Sequence, residues 1–207
     1  MRTLPLVEAA GDPPSSDAIT AARAALSAGG VVGLPTDTVY GLAVDPAVAG
    51  ATGALFALKG RPVGTALPVL VAGVEQADRL GDLSDGAHAL ARSLWPGGLT
   101  LVVGRRSGVE MELGGRPDFI GLRCPAHPVP LALCRQSGPL AATSANRHGE
   151  PDLASASEVA EIFPGLLVLD GGECRGVSST VVDASEDEPR LLRAGAVPWE
   201  EVLAAWG

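Results

Sequence analysis

Short apolar runs alternate with helix-period segments along the whole chain, and a glycine or proline marks most junctions. The runs Val31-Val32-Gly33-Leu34-Pro35, 67–72, 99–103, 119–122, 140–142, 166–169 and 180–182 are too short for helices and read as buried strands. Between them lie helical patterns at 48–58, 84–94, 128–136 and 155–162, with one before them from Ser15 to Gly30 and a closing one from Pro198 to Trp206. In the first, Ser15 or Ser16 supplies the cap, Ile19, Ala22 and Leu26 share a face, and Gly29-Gly30 ends the helix. Strands interleaved with helices predict a layered α/β domain around a largely buried mixed sheet. The 27 glycines and 17 prolines are dispersed, which fits many tight turns rather than a disordered tail. With 207 residues and no repeat, linker or charge block, one domain is expected over 12–198, closed by a helix at 199–207. The acidic stretch Ser185-Glu186-Asp187-Glu188 before Pro189 reads as a solvated hairpin loop.

Several function classes are excluded by what the chain lacks. Cys124, Cys134 and Cys174 are odd in number and have no CxxC spacing, so neither a disulfide framework nor a zinc site is expected, and a reducing compartment is. The N-terminal MRTLPLVEAAGDPP has no apolar leader, and no run approaches the roughly 18 residues of a membrane helix, so a cytoplasmic protein with no membrane partner is expected. A net charge of −9 opposes broad, charge-driven binding of nucleic acid, although Arg105, Arg106 and Arg116 allow a local basic groove. No P-loop, GxGxxG, GxSxG or HExxH pattern occurs, and His88, His127 and His148 lack metal-ligand spacing. No protein-held metal is expected.

The polar residues worth weighing are few. Lys59 is the only lysine beside fourteen arginines, and Asn146 is the only asparagine. In Ala57-Leu58-Lys59-Gly60-Arg61-Pro62 the two cations stand at i and i+2, about 7 Å apart on extended backbone, a span that suits adjacent phosphates. A chance survivor of arginine-rich coding in a surface loop fits the same spacing. Thr143-Ser144-Ala145-Asn146 leaves the end of the apolar run Pro139–Ala142, where open α/β sheets bind ligands. Turn or cap chemistry accounts for those residue types equally well. Thr36-Asp37-Thr38 and the only tyrosine, Tyr40, lie between two apolar strands; Ser178-Ser179-Thr180 precedes the strand Val181-Val182-Asp183, and Arg193 follows the strand-like Leu191-Leu192. Arg123 ends an apolar strand, where a guanidinium is costly to place and suited to holding a carboxylate bidentately.

In this order and spacing the stretches GGVVGLPTDTVYGLAVD, ALKGRP, LPVLV, LWPGGLTLVV, IGLRCPAHP, PLAATSAN, SSTVVD and LLRAGAV resemble the YrdC family, the threonylcarbamoyl-adenylate synthases. The resemblance runs from about residue 29 to 197. It implies a twisted, mostly open mixed sheet with flanking helices and a concave active-site surface. It also implies a nucleotidyltransferase that makes threonylcarbamoyl-AMP and pyrophosphate from L-threonine, bicarbonate and ATP. The product would feed a partner transferase that modifies an adenosine beside the anticodon of tRNA. By motif match, Lys59, Arg61, Ser144 and Asn146 form the family's signature tetrad at the ATP, with Lys59 and Arg61 catalytic and Arg193 reaching the nucleotide phosphates. Thr36, Arg123, Thr143, Ser179 and Thr180 would contact L-threonine, and Mg²⁺ would accompany the ATP. Two departures stand out. Leu67-Pro68-Val69-Leu70-Val71 carries no histidine where some relatives have one, and the extra C-terminal domain of longer relatives is not expected here. The competing readings are a non-catalytic module binding double-stranded RNA or tRNA directly, and a carbamoyl-transfer domain.

Overall fold

The computed structural model describes residues 6–60, 64–174 and 176–206. The first half of the chain forms β1 (Leu6–Glu8), α1 (Ser16–Ser27), β2 (Val32–Leu34), β3 (Gly41–Val44), α2 (Ala51–Lys59), β4 (Val69–Leu70), α3 (Val74–Ala77), β5 (Gly81–Asp82) and α4 (Asp85–Leu94). The second forms β6 (Leu99–Arg105), β7 (Phe119–Arg123), α5 (Pro128–Ser137), β8 (Leu140–Ser144), α6 (Ala156–Ile162), β9 (Leu167–Asp170), β10 (Thr180–Asp183), β11 (Arg190–Arg193) and α7 (Trp199–Trp206). All strands join one mixed sheet in the order β1-β9-β2-β3-β8-β4-β7-β6-β10-β11, with β5 paired to β6. The pairs β1–β9, β2–β9, β4–β7 and β6–β10 are parallel and the remainder antiparallel.

Each element expected from the sequence is found, with ends shifted by a few residues, and the acidic stretch 185–188 does join the antiparallel pair β10–β11. The strand expected over 67–72 shortens to Val69–Leu70 because Pro68 has no N–H to donate to a ladder. β1, α3 and β5 were not expected: each is two to four residues long and exists through pairing or a single turn rather than through a pattern. The sheet thus takes in Leu6–Glu8, ahead of the boundary drawn at residue 12. Local chemistry starts the helices where the sequence places caps. Ser15 accepts from Ala18 N and Ser84 from Ala87 N, while Ser155 and Glu158 close a reciprocal capping box on α6.

The pleat sorts side chains onto two faces. On one face Leu42, Val44, Val69, Leu99, Leu101, Val103, Leu122 and Val182 join α2, α4, α6 and α7 in the larger core. On the other, Leu34, Ala43, Leu70, Leu140 and Ala142 pack under α1 and α5 through Ile19, Ala22, Leu26, Val129 and Leu133. Those two helices cover only the half of this face built on β2, β9 and β8. The half built on β4, β7, β6 and β10 stays open and forms a concave floor bearing Leu70, Gly121, Arg123, Thr100, Val102, Val181 and Asp183.

The turn after β11 crosses directly behind Ser178-Ser179. A methyl carbon on Gly195 would lie 2.2 Å from the Ser178 carbonyl oxygen, so no other residue fits without moving that segment. Gly195→Ala is expected to cost about 1–3 kcal/mol of stability, the range of an overpacked interior site, read as a lower urea midpoint. The three cysteines are free and buried, and burial drives each thiol up from its ordinary 9.0, to about 11 at Cys124 and about 12 at Cys134. The folded protein therefore keeps protons that the unfolded chain gives up above pH 9. Stability should be insensitive to these thiols below pH 9 and fall as the pH rises from 9 toward 11, seen as a declining urea midpoint. An unchanged midpoint across that window would contradict the burial.

Candidate active site

α2 ends at Lys59 because Gly60 takes the left-handed conformation (φ 64°, ψ 29°) that closes the last turn. That stop aims the lysine at the end of β8. Its Nζ donates to Ser144 O at 2.6 Å, to Asn146 Oδ1 at 2.8 Å and to Thr143 Oγ1 at 3.3 Å, and the side chain is 4% exposed. All three acceptors lie within hydrogen-bond reach of the ammonium. Asn146 is tied from both ends of its amide. Its Oδ1 also accepts from Ser144 Oγ at 2.7 Å, and its Nδ2 donates to Glu150 O. His148 N donates to Lys59 O at 3.2 Å, so the loop after β8 and the end of α2 hold each other. Asn146 thus organises the turn after β8, one of the two roles open from the sequence.

The open half of the sheet holds a cavity of about 600 Å³, within the usual range for a small-molecule site. Of the expected residues, Thr36, Arg123, Thr143, Ser144, Ser179 and Arg193 line it. Lys59 and Asn146 stand one hydrogen bond behind the wall made by Thr143 and Ser144. Arg61 lies outside the described residues. Thr180, expected to contact threonine, is turned the other way. Strand alternation sends Ser179, Val181 and Asp183 to the cavity and Thr180 to the core, where it is 0% exposed. Its hydroxyl donates to Val197 O at 2.7 Å and accepts from Val197 N at 3.0 Å, which pins the segment before α7.

Thr36 reaches the cavity wall with its hydroxyl already engaged. Oγ1 donates to Val39 O at 2.6 Å and accepts from Thr38 N and Val39 N, forming a tight turn that presents Thr38 and Val39. Arg123 is 8% exposed and makes an ion pair through Nη2 with Asp37 Oδ1 at 2.8 Å, while its Nε donates to Gly97 O at 3.1 Å. Arg193 closes the opposite side, with Nε and Nη2 both donating to Ser179 O and Nη2 also to Ser179 Oγ at 3.0 Å. Ser179 Oγ meets Thr100 Oγ1 at 2.9 Å, which orients the hydroxyl on the floor. Burial lowers the pKa of both arginines, opposed by Asp37 at Arg123 and by Asp152 at Arg193; a guanidinium stays charged regardless.

Sequence reasoning missed other participants. Thr100 meets Ser179 only because β6 and β10 pair in parallel, a contact 79 residues apart. Asp152 accepts from Ser178 Oγ, and Asp183 at the cavity wall pairs with Arg190 at 2.7 Å. No spacing signal could have joined these. His127, whose surroundings the sequence left open, caps α5 by accepting from Val129 N at 3.2 Å, and burial lowers its pKa.

The fold and site define an open-faced α/β sheet domain whose cavity gathers Arg116, Arg123, Arg190 and Arg193 with serine and threonine hydroxyls. The Sua5/YciO/YrdC family profile, described as Telomere recombination, matches residues 24–195, and the chain belongs to that family. A Pyrococcus abyssi protein named threonylcarbamoyl-AMP synthase is 42% identical over 179 residues, 84% of this chain and 53% of its own length. A Mycobacterium tuberculosis relative is 37% identical over 196 residues, covering 93% of this chain and 90% of that protein. The crystal structure of P. abyssi Sua5 complexed with L-threonine superposes with a TM-score of 0.91 at 37% identity, over 97% of this chain and 60% of that one. The chain therefore spans little more than half the length of the Pyrococcus relative.

Two substitutions test the buried ammonium. Asn146→Ala removes a hydrogen-bond partner from the Ser144 hydroxyl, the Glu150 carbonyl and the Lys59 ammonium, and should cost about 1–3 kcal/mol. Lys59→Arg replaces a compact donor by a planar fork that cannot meet the same three acceptors, and should lower the thermal midpoint by a similar amount. A midpoint unchanged in both variants would show that the network carries no weight.

Proposed function

We propose that this chain is an L-threonylcarbamoyladenylate synthase, joining L-threonine, bicarbonate and ATP into threonylcarbamoyl-AMP with release of pyrophosphate. The observation that supports it most is the concentration of four arginines on the cavity wall, among the described residues, of a chain with net charge −9. Such a wall favours a nucleotide triphosphate and a carboxylate together, and a cavity of this size suits them better than it suits a nucleic-acid duplex. The named relatives of the same family agree with that chemistry.

The reaction asks for positioning more than for a reactive side chain. The threonine amine adds to carbon dioxide derived from bicarbonate, losing a proton to give a carbamate. A carbamate oxygen then attacks the α-phosphorus, and pyrophosphate leaves with the electron pair of the broken P–O bond. Arg123 holds the amino-acid carboxylate, and Thr38, Ser144 and Ser179 line the space beside it. Arg193 neutralises charge on the phosphates, and Lys59 acts by fixing Thr143 and Ser144 at the other wall, with Arg61 following it in sequence. Among the described residues no cluster of three His, Cys, Asp or Glu side chains offers a metal cage, so Mg²⁺ is assigned to the nucleotide substrate as MgATP. The product, a mixed anhydride, would pass in the cytoplasm to a transferase acting on tRNA.

Pyrophosphate release measured with purified protein should require all three substrates. Valine in place of threonine should slow it by about 100-fold or more, because hydroxyl-binding groups on the wall are left unpaired by the isostere. Equal rates with valine and threonine would remove the hydroxyls from the specificity argument, and no release with all three substrates would end the proposal.

A further inference from the structure

We infer that Asp37 is a positioning residue for the amino-acid site: it sets the orientation of Arg123 so that one edge of the guanidinium alone is offered to a ligand carboxylate. The inference rests on the proposed synthase reading and adds a determinant to it. Arg123 ends β7 and reaches the cavity wall, while Asp37 sits in the turn between β2 and β3, outside the lining. The two meet at 2.8 Å through Nη2 and Oδ1. The same Oδ1 accepts from Ala126 N at 3.0 Å, so one carboxylate oxygen fastens the Thr36–Thr38 turn to the chain leaving β7.

The geometry of the fork gives this contact its consequence. A guanidinium offers a side edge, made by Nε and one Nη, and an end edge, made by both Nη groups. At Arg123 the side edge is occupied: Nε donates to Gly97 O at 3.1 Å and Nη2 to Asp37. Nη1 has no partner among the described residues, so the end edge is the one left for a bidentate carboxylate. Asp37 also offsets the electrostatic cost of burying the Arg123 cation at a position 8% exposed. Without Asp37 the fork could rotate, and the order it loses would have to be restored each time the amino acid binds.

Asp37→Asn keeps an acceptor for Arg123 and Ala126 while removing the charge; Asp37→Ala removes both. Calorimetric titration of L-threonine, and separately of MgATP, into wild type and both variants reads the effect. Threonine affinity should fall about tenfold in Asp37→Ala and by less in Asp37→Asn, with MgATP affinity within about twofold of wild type. Should Asp37→Ala fail to fold, Asp37→Asn alone carries the test, with a threefold or greater loss for threonine expected. Threonine affinity within twofold of wild type in the folded variant overturns the inference. Equal losses for threonine and MgATP overturn it as well, because they would show a general disturbance of the site. Wild type that binds MgATP and not threonine overturns the synthase reading itself, an outcome distinct from either.

Discussion

A mixed sheet in water must have each face covered by apolar packing or turned to a use, and here one face is covered only over half its width. α1 and α5 seal the side built on β2, β9 and β8, and among the described residues no helix seals the side built on β4, β7, β6 and β10. Everything at the site follows from that shortfall. Strand positions that would otherwise carry core side chains carry Thr100, Arg123, Ser179 and Asp183, while their neighbours along the same strands, Leu99, Leu101, Leu122 and Val182, are fully buried on the opposite face. The larger core beneath therefore serves as a rigid support on which polar groups can be held at fixed separations.

The charge distribution has the same origin. A chain with net charge −9 repels a free triphosphate at long range, yet the cavity wall carries Arg116, Arg123, Arg190 and Arg193 against Asp183. Since Debye screening limits the reach of exposed charges to about 8 Å at physiological salt, the acidic exterior matters less to a bound ligand than the arginines in contact with it. The acidic balance opposes broad, charge-driven attraction of nucleic acid, while the concave wall carries a local concentration of positive charge. Selectivity of this kind comes from where charges sit rather than from their sum.

Much of this was legible in the sequence, because it depends on local pattern. Ile19, Ala22 and Leu26 at helical spacing, the helical pattern at 84–94, and the apolar run at 99–103 each state their element without help from distant residues. Motif order singled out Arg123, Ser144, Ser179 and Arg193, four residues that line the cavity. The pleat was the weak point. Ser178-Ser179-Thr180 offers three hydroxyls in a row, and only the register of β10 against β6 decides that Ser179 faces the cavity and Thr180 the core. Lys59 shows the complementary difficulty. Its rarity marked it, but its burial behind Thr143 and Ser144 depends on where α2 stops and β8 ends, 84 residues apart. Partners such as Asp37 for Arg123 carry no signal of their own, because an aspartate in a turn looks the same whether it caps, solvates or holds a distant guanidinium.

The two cavity-lining arginines Arg123 and Arg193 share one device. Each spends its side edge on protein acceptors: Arg123 on Gly97 O and Asp37, Arg193 on Ser179 O through both Nε and Nη2. Holding the fork from the side costs the protein its rotamer entropy during folding, once, instead of at every binding event. Lysine could not be held in this way, since its ammonium rotates freely about the last bond and has no second edge to offer. The single lysine ties α2 to the end of β8 and to Asn146 in the loop that follows, donating to Thr143, Ser144 and Asn146. The division of labour between fourteen arginines and one lysine thus has a physical basis at these three positions, with the planar cations turned to the cavity and the compact one to the frame behind it.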